Sequence, residues 1–224
     1  MELVVEGINK YYSLGEQSYQ ALRGVSARFQ DDGLVALVGP SGSGKSTLLH
    51  CLGLIDPVES GQIYFEGQRI DSLGDDKKSS FRLSRFGFIF QSYHLIPTLS
   101  VVENVALPAI YLSRDVRRSQ SYAKHLLERV GLGEFNKRRV SQLSGGQRQR
   151  VAIARSLVNR PRIIFADEPT ANLDSSTSGD VLDLFQEIVA EEQIMAIVST
   201  HDPEVAQRAN RIIKMKDGQL EVTQ

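Results

Sequence analysis

Apolar and polar residues alternate at the start of the chain and then give way to fully apolar runs. Residues 2–8 alternate as a half-buried strand does, and Ala21 to Phe29 form a second β-type segment after a polar turn. Leu34 to Val38 is a short continuous apolar run, which is typical of parallel strands that are buried on both faces. The pattern therefore predicts an antiparallel N-terminal sheet, followed by the first strand of a parallel sheet.

Helical periodicity dominates residues 92–159, which follow a further apolar run at residues 86–90. Ser100 and Glu103 have the spacing of a capping box, which is a common start of a helix. We expect Pro108 to end or kink the helix that they start, because proline cannot donate a backbone hydrogen bond.

A second helical pattern covers residues 116–130. Its apolar residues fall on one face, and its charged residues lie mostly elsewhere. The residues of the apolar face are Val116, Ala123, Leu126, Leu127 and Val130. The pattern predicts an amphipathic helix whose charged face lies in solvent.

After Pro161 the alternation of strands and helices returns. The predicted elements are a strand at 163–166, a helix at 176–191, a strand at 194–199, a helix capped by Asp202, and a strand at 211–216. Residues 92–159 therefore look like a helical insertion. We predict one domain over residues 1–224, with an α/β core at 1–91 and 160–224 and a helical subdomain at 92–159.

Composition narrows the class of protein. The formal net charge of -1 provides no basic field of the kind that nucleic-acid-binding domains show, so no nucleic acid is expected as a partner. The single cysteine, Cys51, excludes an intrachain disulfide and favours a reducing compartment. No run of 18 apolar residues and no leader pattern is present, so we expect a chain that is neither secreted nor membrane-spanning.

A glycine-rich segment directly follows the apolar run at 34–38 and matches the pattern G-x-x-x-x-G-K-[ST]. Glycines in such a loop let backbone N–H groups point at phosphates, the lysine reaches the β and γ phosphates, and the serine hydroxyl reaches Mg²⁺. The residues are Gly39, Pro40, Ser41, Gly42, Ser43, Gly44, Lys45, Ser46 and Thr47. The alternative, a glycine-rich turn without a ligand, is weakened by the placement between a strand and a helix.

Two acidic residues follow the predicted strand at 163–166. Asp167 and Glu168 stand where the carboxyl ends of strands bind ligands in α/β sheets. Asp167 suits a magnesium ion and Glu168 suits the proton of an attacking water. Both could instead cap a helix or a turn, but Lys45 in the same chain favours the catalytic interpretation.

A third motif resembles the signature sequence of ABC ATPases. Its residues are Leu143, Ser144, Gly145, Gly146 and Gln147. Ser144 is a good N-cap, and the two glycines expose N–H groups at the start of a helix, which makes a second phosphate-binding end. The chain is therefore similar to ABC ATPases, whose fold is a P-loop NTPase core with an N-terminal antiparallel β subdomain and an inserted α-helical subdomain.

The resemblance assigns further residues by the order of motifs along the chain. It implies that Tyr12 stacks on adenine, that Gln91 reaches the magnesium and the attacking water, and that His201 contacts the γ-phosphate. Asp174 ends the sequence Ala-Asn-Leu-Asp, where Ser-Ala-Leu-Asp is commoner in the family. The implied cofactors are ATP and Mg²⁺, and the implied metal residues are Ser46, Gln91 and Asp167.

Within ABC ATPases the chain most resembles the MacB, LolD and FtsE group, on the stretches 89–108, 143–157 and 165–174. The resemblance implies a homodimer in the ATP-bound state and a partnership with integral membrane permease subunits. It also implies a location on the cytoplasmic face of the inner membrane and a permease contact at residues 93–99. Two alternatives stay open: a nontransport ABC ATPase, and a regulatory FtsE-like ATPase that acts as a nucleotide-controlled clamp.

Overall fold

Two units make up the chain in the computed structural model, which describes residues 1–15 and 17–221. The first unit comprises residues 1–82 together with the chain from Met195 onward, and the second comprises residues 83–194. The predicted helical insertion, residues 92–159, lies inside the second unit. Its division from the core at residues 91 and 160 stays a prediction.

Three strands come first, and three α-helices follow one another between the sixth and seventh strands. The strands are β1 (Glu2–Leu14), β2 (Gln17–Gln30), β3 (Leu34–Val38), β4 (Ser60–Phe65), β5 (Gln68–Arg69), β6 (Phe86–Ile89), β7 (Ile163–Asp167), β8 (Met195–Thr200), β9 (Arg211–Lys216) and β10 (Gln219–Leu220). The helices are α1 (Lys45–Leu52), α2 (Asp75–Arg85), α3 (Val101–Ser113), α4 (Val116–Arg129), α5 (Gly145–Leu157), α6 (Ser175–Glu191) and α7 (Pro203–Gln207). Across 1–15 and 17–221, no helix has the length and apolar content that crossing a bilayer requires.

The antiparallel sheet predicted for the N-terminus is present in the first unit, in the strand order β2-β1-β4-β5. Leu3 pairs with Phe29 on one side and with Phe65 on the other, and all three are buried. The register shifts between Val5 and Ile8, so the buried residues of β1 do not keep a strict alternation. This irregularity lets Val5 and Ile8 both face the core.

A parallel arrangement of strands carries the phosphate loop in the same unit. β3 lies between β8 and β9 and runs parallel to both, and the residues Leu34 to Leu37 are buried. Val38 at the end of β3 pairs with Thr200 at the end of β8. Because the two strands end side by side, the loop that begins at Gly39 and the residue His201 leave the sheet at one edge.

The second unit is built on β6 and β7, which pair in parallel. Phe86 and Phe165 make an edge-to-face ring contact with centroids 5.1 Å apart. Ile89 pairs with Ala166, so the residues after each strand leave at the same edge. The helices α3, α4 and α5 pack on one another within this unit.

The start of α3 confirms the capping box. Ser100 accepts a hydrogen bond from the Glu103 N–H, and the Glu103 carboxylate accepts one from the Ser100 N–H at 2.7 Å. The Ser100 hydroxyl also donates to the Glu103 carboxylate at 2.5 Å. This bond, followed by the bond from the Ser100 N–H, lowers the pKa of Glu103. The expected end of the helix at Pro108 is wrong, because α3 continues to Ser113. Proline removes one backbone bond, and buried Val105 and Ala109 on the adjoining turns hold the helix in place.

The amphipathic pattern of α4 is confirmed except at its first residue. Ala123, Leu126 and Leu127 are buried, whereas the side chain of Val116 is 49% exposed. Val116 is the first residue of the helix, directly after the N-cap Asp115. It therefore lies in the exposed first turn of the helix. The helical period predicts which face is apolar, but it does not predict that this end of the face is uncovered.

The single cysteine lies inside the first unit. Cys51 is on α1 and is fully buried. Burial raises the pKa of its thiol to about 12. The side chain is therefore a neutral core group at physiological pH.

Candidate functional site

The phosphate loop occupies the turn between β3 and α1. Gly42 and Gly44 have φ angles of 78° and 103°, a left-handed backbone that residues with a side chain rarely adopt. A Cβ at Gly39 would come closer than 3.0 Å to the backbone oxygen of Met215 in β9. The glycines are therefore required both by the turn and by the close passage of β9.

Lys45 is folded back over this loop. Its ammonium group donates to the backbone carbonyls of Gly39 at 2.8 Å and Pro40 at 3.1 Å, and only 7% of the residue is exposed. Gly44 caps α1 without a side-chain hydrogen bond, and the N-terminus of a helix is suited to bind an anion. The hydroxyl of Ser43 is buried and has no hydrogen-bond partner among residues 1–15 and 17–221. An orphaned donor beside a helix N-terminus fits a phosphate oxygen.

Tyr12 stands at the edge of the antiparallel sheet and contacts the helix that follows the loop. Its hydroxyl donates to the Asp56 carboxylate at 2.7 Å, and the Thr47 side chain also bonds to it. Burial, and then the bond to Asp56, raise the pKa of Tyr12 to about 12. The Lys10 ammonium lies 5.2 Å from the ring centroid, and 37% of the tyrosine remains exposed. The ring is therefore held by its neighbours and is still partly accessible.

The acidic pair lies at the end of β7. Asp167 is the last residue of the strand, and Glu168 follows it with a φ angle of 46°. A positive φ costs a non-glycine residue about 1 kcal/mol or more, and such residues cluster at functional sites. Both acids are partly exposed. Because adjacent residues of a strand point to opposite sides and a turn follows Asp167, the two acids need not share one role.

Gln91 follows the neighbouring strand β6 and lies in the same unit as the acidic pair. Its side chain is exposed, and its backbone carbonyl accepts a hydrogen bond from the Asn172 amide at 2.8 Å. Asn172 is one of two residues at which this chain departs from the commoner Ser-Ala-Leu-Asp sequence, and Ala171 is the other. Asn172 therefore connects the segment before α6 to Gln91.

The signature residues form the N-terminus of α5. Ser144 is the N-cap: its hydroxyl accepts from the Gln147 N–H at 3.3 Å, and the Gln147 side chain accepts from the Ser144 N–H at 3.0 Å. Gly145 and Gly146 are the next two residues and leave the first turn without bulk. The predicted second phosphate-binding helix end is thus a capped helix N-terminus.

Gly146 of the signature helix α5 packs against the start of α6. A Cβ on Gly146 would come closer than 3.0 Å to the Thr177 methyl group. Asp174 caps α6 by accepting from the Thr177 N–H at 3.0 Å, the Thr177 hydroxyl at 2.7 Å and the Ser176 hydroxyl at 2.8 Å. These bonds hold the pKa of Asp174 well below its usual range, with the Thr177 N–H contributing most. Gly146, Thr177 and Asp174 therefore form one packed junction.

The structure brings the predicted residues into two groups, one in each unit. In the first unit the loop at 39–47 lies with Tyr12, and His201 follows the strand beside it, where its side chain is exposed. In the second unit Gln91, Asp167 and Glu168 follow paired strands, and the signature packs on the segment that contains Asp174.

Several supporting residues were missed by the sequence analysis. Asp56 and Thr177 hold predicted site residues through side-chain hydrogen bonds, and neither belongs to a recognisable motif. Asn172 had a visible signal, because it is one of the two residues that depart from the commoner sequence. The contact of Asp56 with Tyr12 joins residues that are far apart in the chain, so only the folded structure shows it.

The family model of the ABC transporters matches residues 22–171. The chain belongs to the ABC transporter family. Relatives of this ABC protein extend the match to nearly the whole chain. The macrolide export ATP-binding/permease protein MacB of Syntrophobacter fumaroxidans is 47% identical over 99% of the chain. The lipoprotein-releasing system ATP-binding protein LolD of Shewanella frigidimarina is 43% identical over 98% of the chain.

The two relatives differ in length. The chain spans 31% of that MacB protein and 92% of that LolD protein. An uncharacterized ABC transporter ATP-binding protein of Thermotoga maritima is 45% identical, with 99% of this chain and 93% of that protein covered. The ABC cassette described here therefore corresponds to about a third of MacB and to most of the other two proteins.

Solved structures confirm the predicted fold class of this ABC cassette. The dimeric, post-hydrolysis structure of the ATP-binding cassette MJ0796 bound to ADP and Pi has a TM-score of 0.90. It is 38% identical and covers 98% of this chain and 97% of its own. The fold is accordingly that of a P-loop NTPase with an antiparallel β subdomain and a helical subdomain.

Proposed function

We propose that this ABC cassette binds and hydrolyses ATP as a subunit of a transporter complex and drives a separate integral membrane permease. One observation carries the proposal. A phosphate loop with a buried Lys45, an acidic pair at the end of β7 and a capped signature helix occur in a single chain. Phosphate binding alone requires only the first of these features. The three features together match a cassette that hydrolyses ATP and that dimerises through bound ATP.

In the proposed complex, residues 39–47 hold the triphosphate and Tyr12 stacks on adenine. Lys45 would exchange its carbonyl contacts at Gly39 and Pro40 for phosphate oxygens, which are stronger acceptors for an ammonium group. The buried Ser43 hydroxyl would gain a partner at the same time. The uncapped start of α1 adds further N–H donors.

The residues proposed for Mg²⁺ are Ser46, Gln91 and Asp167. Within 1–15 and 17–221, no group of three or more His, Cys, Asp and Glu side chains could hold a metal by itself. The proposed set of one hydroxyl, one amide and one carboxylate fits magnesium. Proteins usually bind this ion through one or two carboxylates, waters and substrate phosphates. When bound, magnesium supplies charge neutralisation on the phosphate oxygens.

We assign Glu168 as the group that polarises the attacking water. Asp167 ends the strand and Glu168 stands in the turn after it with a positive φ, so one acid can serve the metal while the other serves the water. Lys45 and His201 would stabilise the negative charge that develops on the transferred oxygens. Catalysis of this kind depends on positioning and electrostatics, because the chain forms no covalent bond to phosphate.

The signature is proposed to act on ATP held by a second copy of the chain. Ser144, Gly145, Gly146 and Gln147 form a helix N-terminus whose N–H groups can donate to a γ-phosphate. Asp174 lies at the junction with α6 and is proposed to contact the same interface. The dimeric state named for the cassette MJ0796 supports this arrangement. ATP would then bring two copies together, and hydrolysis would release them.

The permease and its cargo are proposed from the relatives. MacB is named a macrolide export protein with a permease part, and LolD a lipoprotein-releasing ATP-binding protein. By likeness we propose a permease of this export or lipoprotein-release type, contacted by residues 93–99. We also place the complex at the cytoplasmic face of the inner membrane.

Three variants test the hydrolytic part of the proposal. Lys45→Ala should lose binding of a fluorescent ATP analogue, because its ammonium charge is removed from the loop. Glu168→Gln should keep binding and lose phosphate release by about 100-fold or more, as expected for a missing general base. Glu187→Gln, at an exposed position of α6, is the matched control and should behave as wild type. Unchanged phosphate release in Glu168→Gln would refute the assignment of the base.

The transporter part needs a separate experiment. The tagged chain is recovered from detergent-solubilised membranes of its host, and any integral membrane protein that accompanies it is reconstituted with it in liposomes. We expect the membrane protein to change the rate of ATP hydrolysis, and Glu168→Gln to abolish that activity. Recovery of only soluble proteins or nucleic acid would remove the support for transport.

A further inference from the structure

The segment between Gln91 and α3 contains two unusual backbone conformations. Tyr93 and His94 have φ angles of 60° and 45°, which residues with a Cβ adopt only at an energetic cost. The segment has no helix or strand before α3 begins at Val101. Other contacts must therefore hold this turn.

Arg155 on the signature helix α5 supplies two of those contacts. Its guanidinium group donates to the His94 carbonyl at 2.6 Å and to the Tyr93 carbonyl at 2.7 Å. The two donors come from different nitrogens of one planar group, so they fix direction as well as distance. A lysine has one nitrogen and cannot reproduce this fork.

Arg155 has no carboxylate partner in the part of the chain that the structure describes. Burial lowers its pKa to about 10, from an ordinary value of 12.5. Withdrawing a charge from water without an ion pair is unfavourable, and the two carbonyl bonds offset that cost. The burial of the Arg155 charge is therefore favourable only while the carbonyl groups of the Tyr93–His94 turn accept its hydrogen bonds.

A second arginine of the same helix reaches the same turn. Arg148 lies over the Tyr93 ring, 5.4 Å from its centroid. Arg148 and Arg155 are seven residues apart, which places them on one face of α5. The helix begins directly after Ser144, so a rigid element of about 16 Å joins the signature serine to Arg155.

The other end of the segment is anchored by α3. Asn104 is 1% exposed; its side-chain oxygen accepts from the Ile96 N–H at 2.7 Å, and its amide donates to the Ile96 carbonyl at 3.1 Å. The turn at 93–94 is thus held by α5, and residue 96 is held by α3. A displacement of α5 would act first on the turn that follows Gln91.

We propose that Arg155 is a positioning residue that couples the signature helix to the segment after Gln91. When Ser144 moves toward or away from a phosphate, Arg155 moves with the same helix and displaces the Tyr93–His94 turn. The displacement changes the position of Gln91 and of the surface at 93–99. This inference rests on the proposed function, which gives those two features their roles.

Hydrogen–deuterium exchange of the full chain tests the coupling contact without nucleotide. In Arg155→Met, which keeps the length but removes the donors, amides of residues 92–97 should exchange about tenfold faster or more, because two charge-assisted bonds are lost. Arg155→Lys should fall between Arg155→Met and wild type. The control Arg160→Met removes an exposed arginine that lies over the Tyr122 ring, and residues 92–97 should then exchange as in wild type.

Two exchange results would overturn the proposal. One is an unchanged rate for residues 92–97 in Arg155→Met. The other is a uniform increase across residues 83–194 in both Arg155→Met and Arg155→Lys, which would make the arginine a general stabiliser.

A kinetic measurement separates positioning from nucleotide binding. In Arg155→Met the magnesium concentration for half-maximal hydrolysis should rise by about threefold or more and kcat should fall, as expected for a displaced Gln91, while KM for ATP stays within about twofold of wild type. Arg155→Lys should recover part of kcat, and Arg160→Met should match wild type. A changed KM with an unchanged magnesium dependence would contradict the proposal. If the wild-type chain did not hydrolyse ATP, the proposed function would fail, and the exchange experiment would still decide the role of Arg155.

Discussion

Gly146→Ala should destabilise the second unit through one defined collision. The new Cβ would come closer than 3.0 Å to the Thr177 methyl group, whereas carbon atoms normally pack at about 3.5–4.0 Å. Thr177 cannot rotate freely, because its hydroxyl donates to Asp174 at 2.7 Å and its N–H donates to the same carboxylate. Overpacking of this kind costs about 1–3 kcal/mol. The better helix propensity of alanine returns at most about 1 kcal/mol.

The companion change Thr177→Ser isolates the collision. It removes the methyl group and keeps the hydroxyl that bonds to Asp174. In the Thr177→Ser background, Gly146→Ala should therefore cost little or be neutral. The difference between the two backgrounds, measured by urea unfolding in a double-mutant cycle, should be about 1–2 kcal/mol.

The cycle also gives the result that would refute this reasoning. If Gly146→Ala costs the same free energy of unfolding with threonine and with serine at position 177, the methyl contact is not the cause. The unfolding cost would then lie in the backbone of the helix N-terminus. ATP-dependent dimerisation of the double variant tests separately whether glycine is also needed for the approach of a phosphate.

Three further predictions follow from individual contacts in the structure. Asp174→Asn should lower the free energy of unfolding at pH 7 more than at pH 3: the pKa of Asp174 is lowered in the folded chain, so its stabilisation is present above pH about 4 and is lost as the pH falls below that value. Asn104→Ala should cost about 1–3 kcal/mol in urea unfolding, because it removes a buried side chain that accepts from the Ile96 N–H and donates to the Ile96 carbonyl. In tyrosine-labelled protein, Tyr12 should titrate near pH 12, and Asp56→Asn should lower that midpoint by removing one of the groups that raise it.

Each of these predictions has a matched control. For the pH experiment the control is Asp183→Asn, on an exposed face of α6. Its effect on the free energy of unfolding should not show the change between pH 7 and pH 3 that is expected for Asp174→Asn. For Asn104 it is Asn159→Ala, which removes a single bond to the Leu83 carbonyl and should cost less. For Tyr12 the resonance is assigned by its absence in Tyr12→Phe, and a midpoint that does not move in Asp56→Asn would contradict the role given to that carboxylate.

Much of the fold was predictable because local pattern and local structure coincide. The run at Leu34–Val38 is a strand that is covered on both faces. For that reason all of its residues are apolar, and the sequence alone reveals it. The capping box at Ser100 involves residues three apart, so spacing alone identifies it. The phosphate loop and the signature were recognisable for the same reason, since each is a contiguous turn with backbone demands that glycine meets.

The failures share a different cause. Pro108 was expected to end or kink α3. The helix does not end there, because burial on the adjoining turns outweighs the one bond that proline removes, and the kink stays a prediction. The contacts of Arg155 with Tyr93 and His94 span about sixty residues, and no local pattern in the chain announces them. Tertiary contacts of this kind decide how the motifs are held, although they do not decide where the motifs lie in the sequence.

The buried thiol of Cys51 makes the native chain a convenient background for site-specific probes. With a pKa of about 12, only about one molecule in 10⁵ carries the thiolate at pH 7, and maleimides react with the thiolate. A cysteine introduced at an exposed position such as Ser121 on α4 would therefore take the label alone. Spin labels or fluorophores attached there could follow the approach and separation of two copies during turnover, without first replacing the native cysteine.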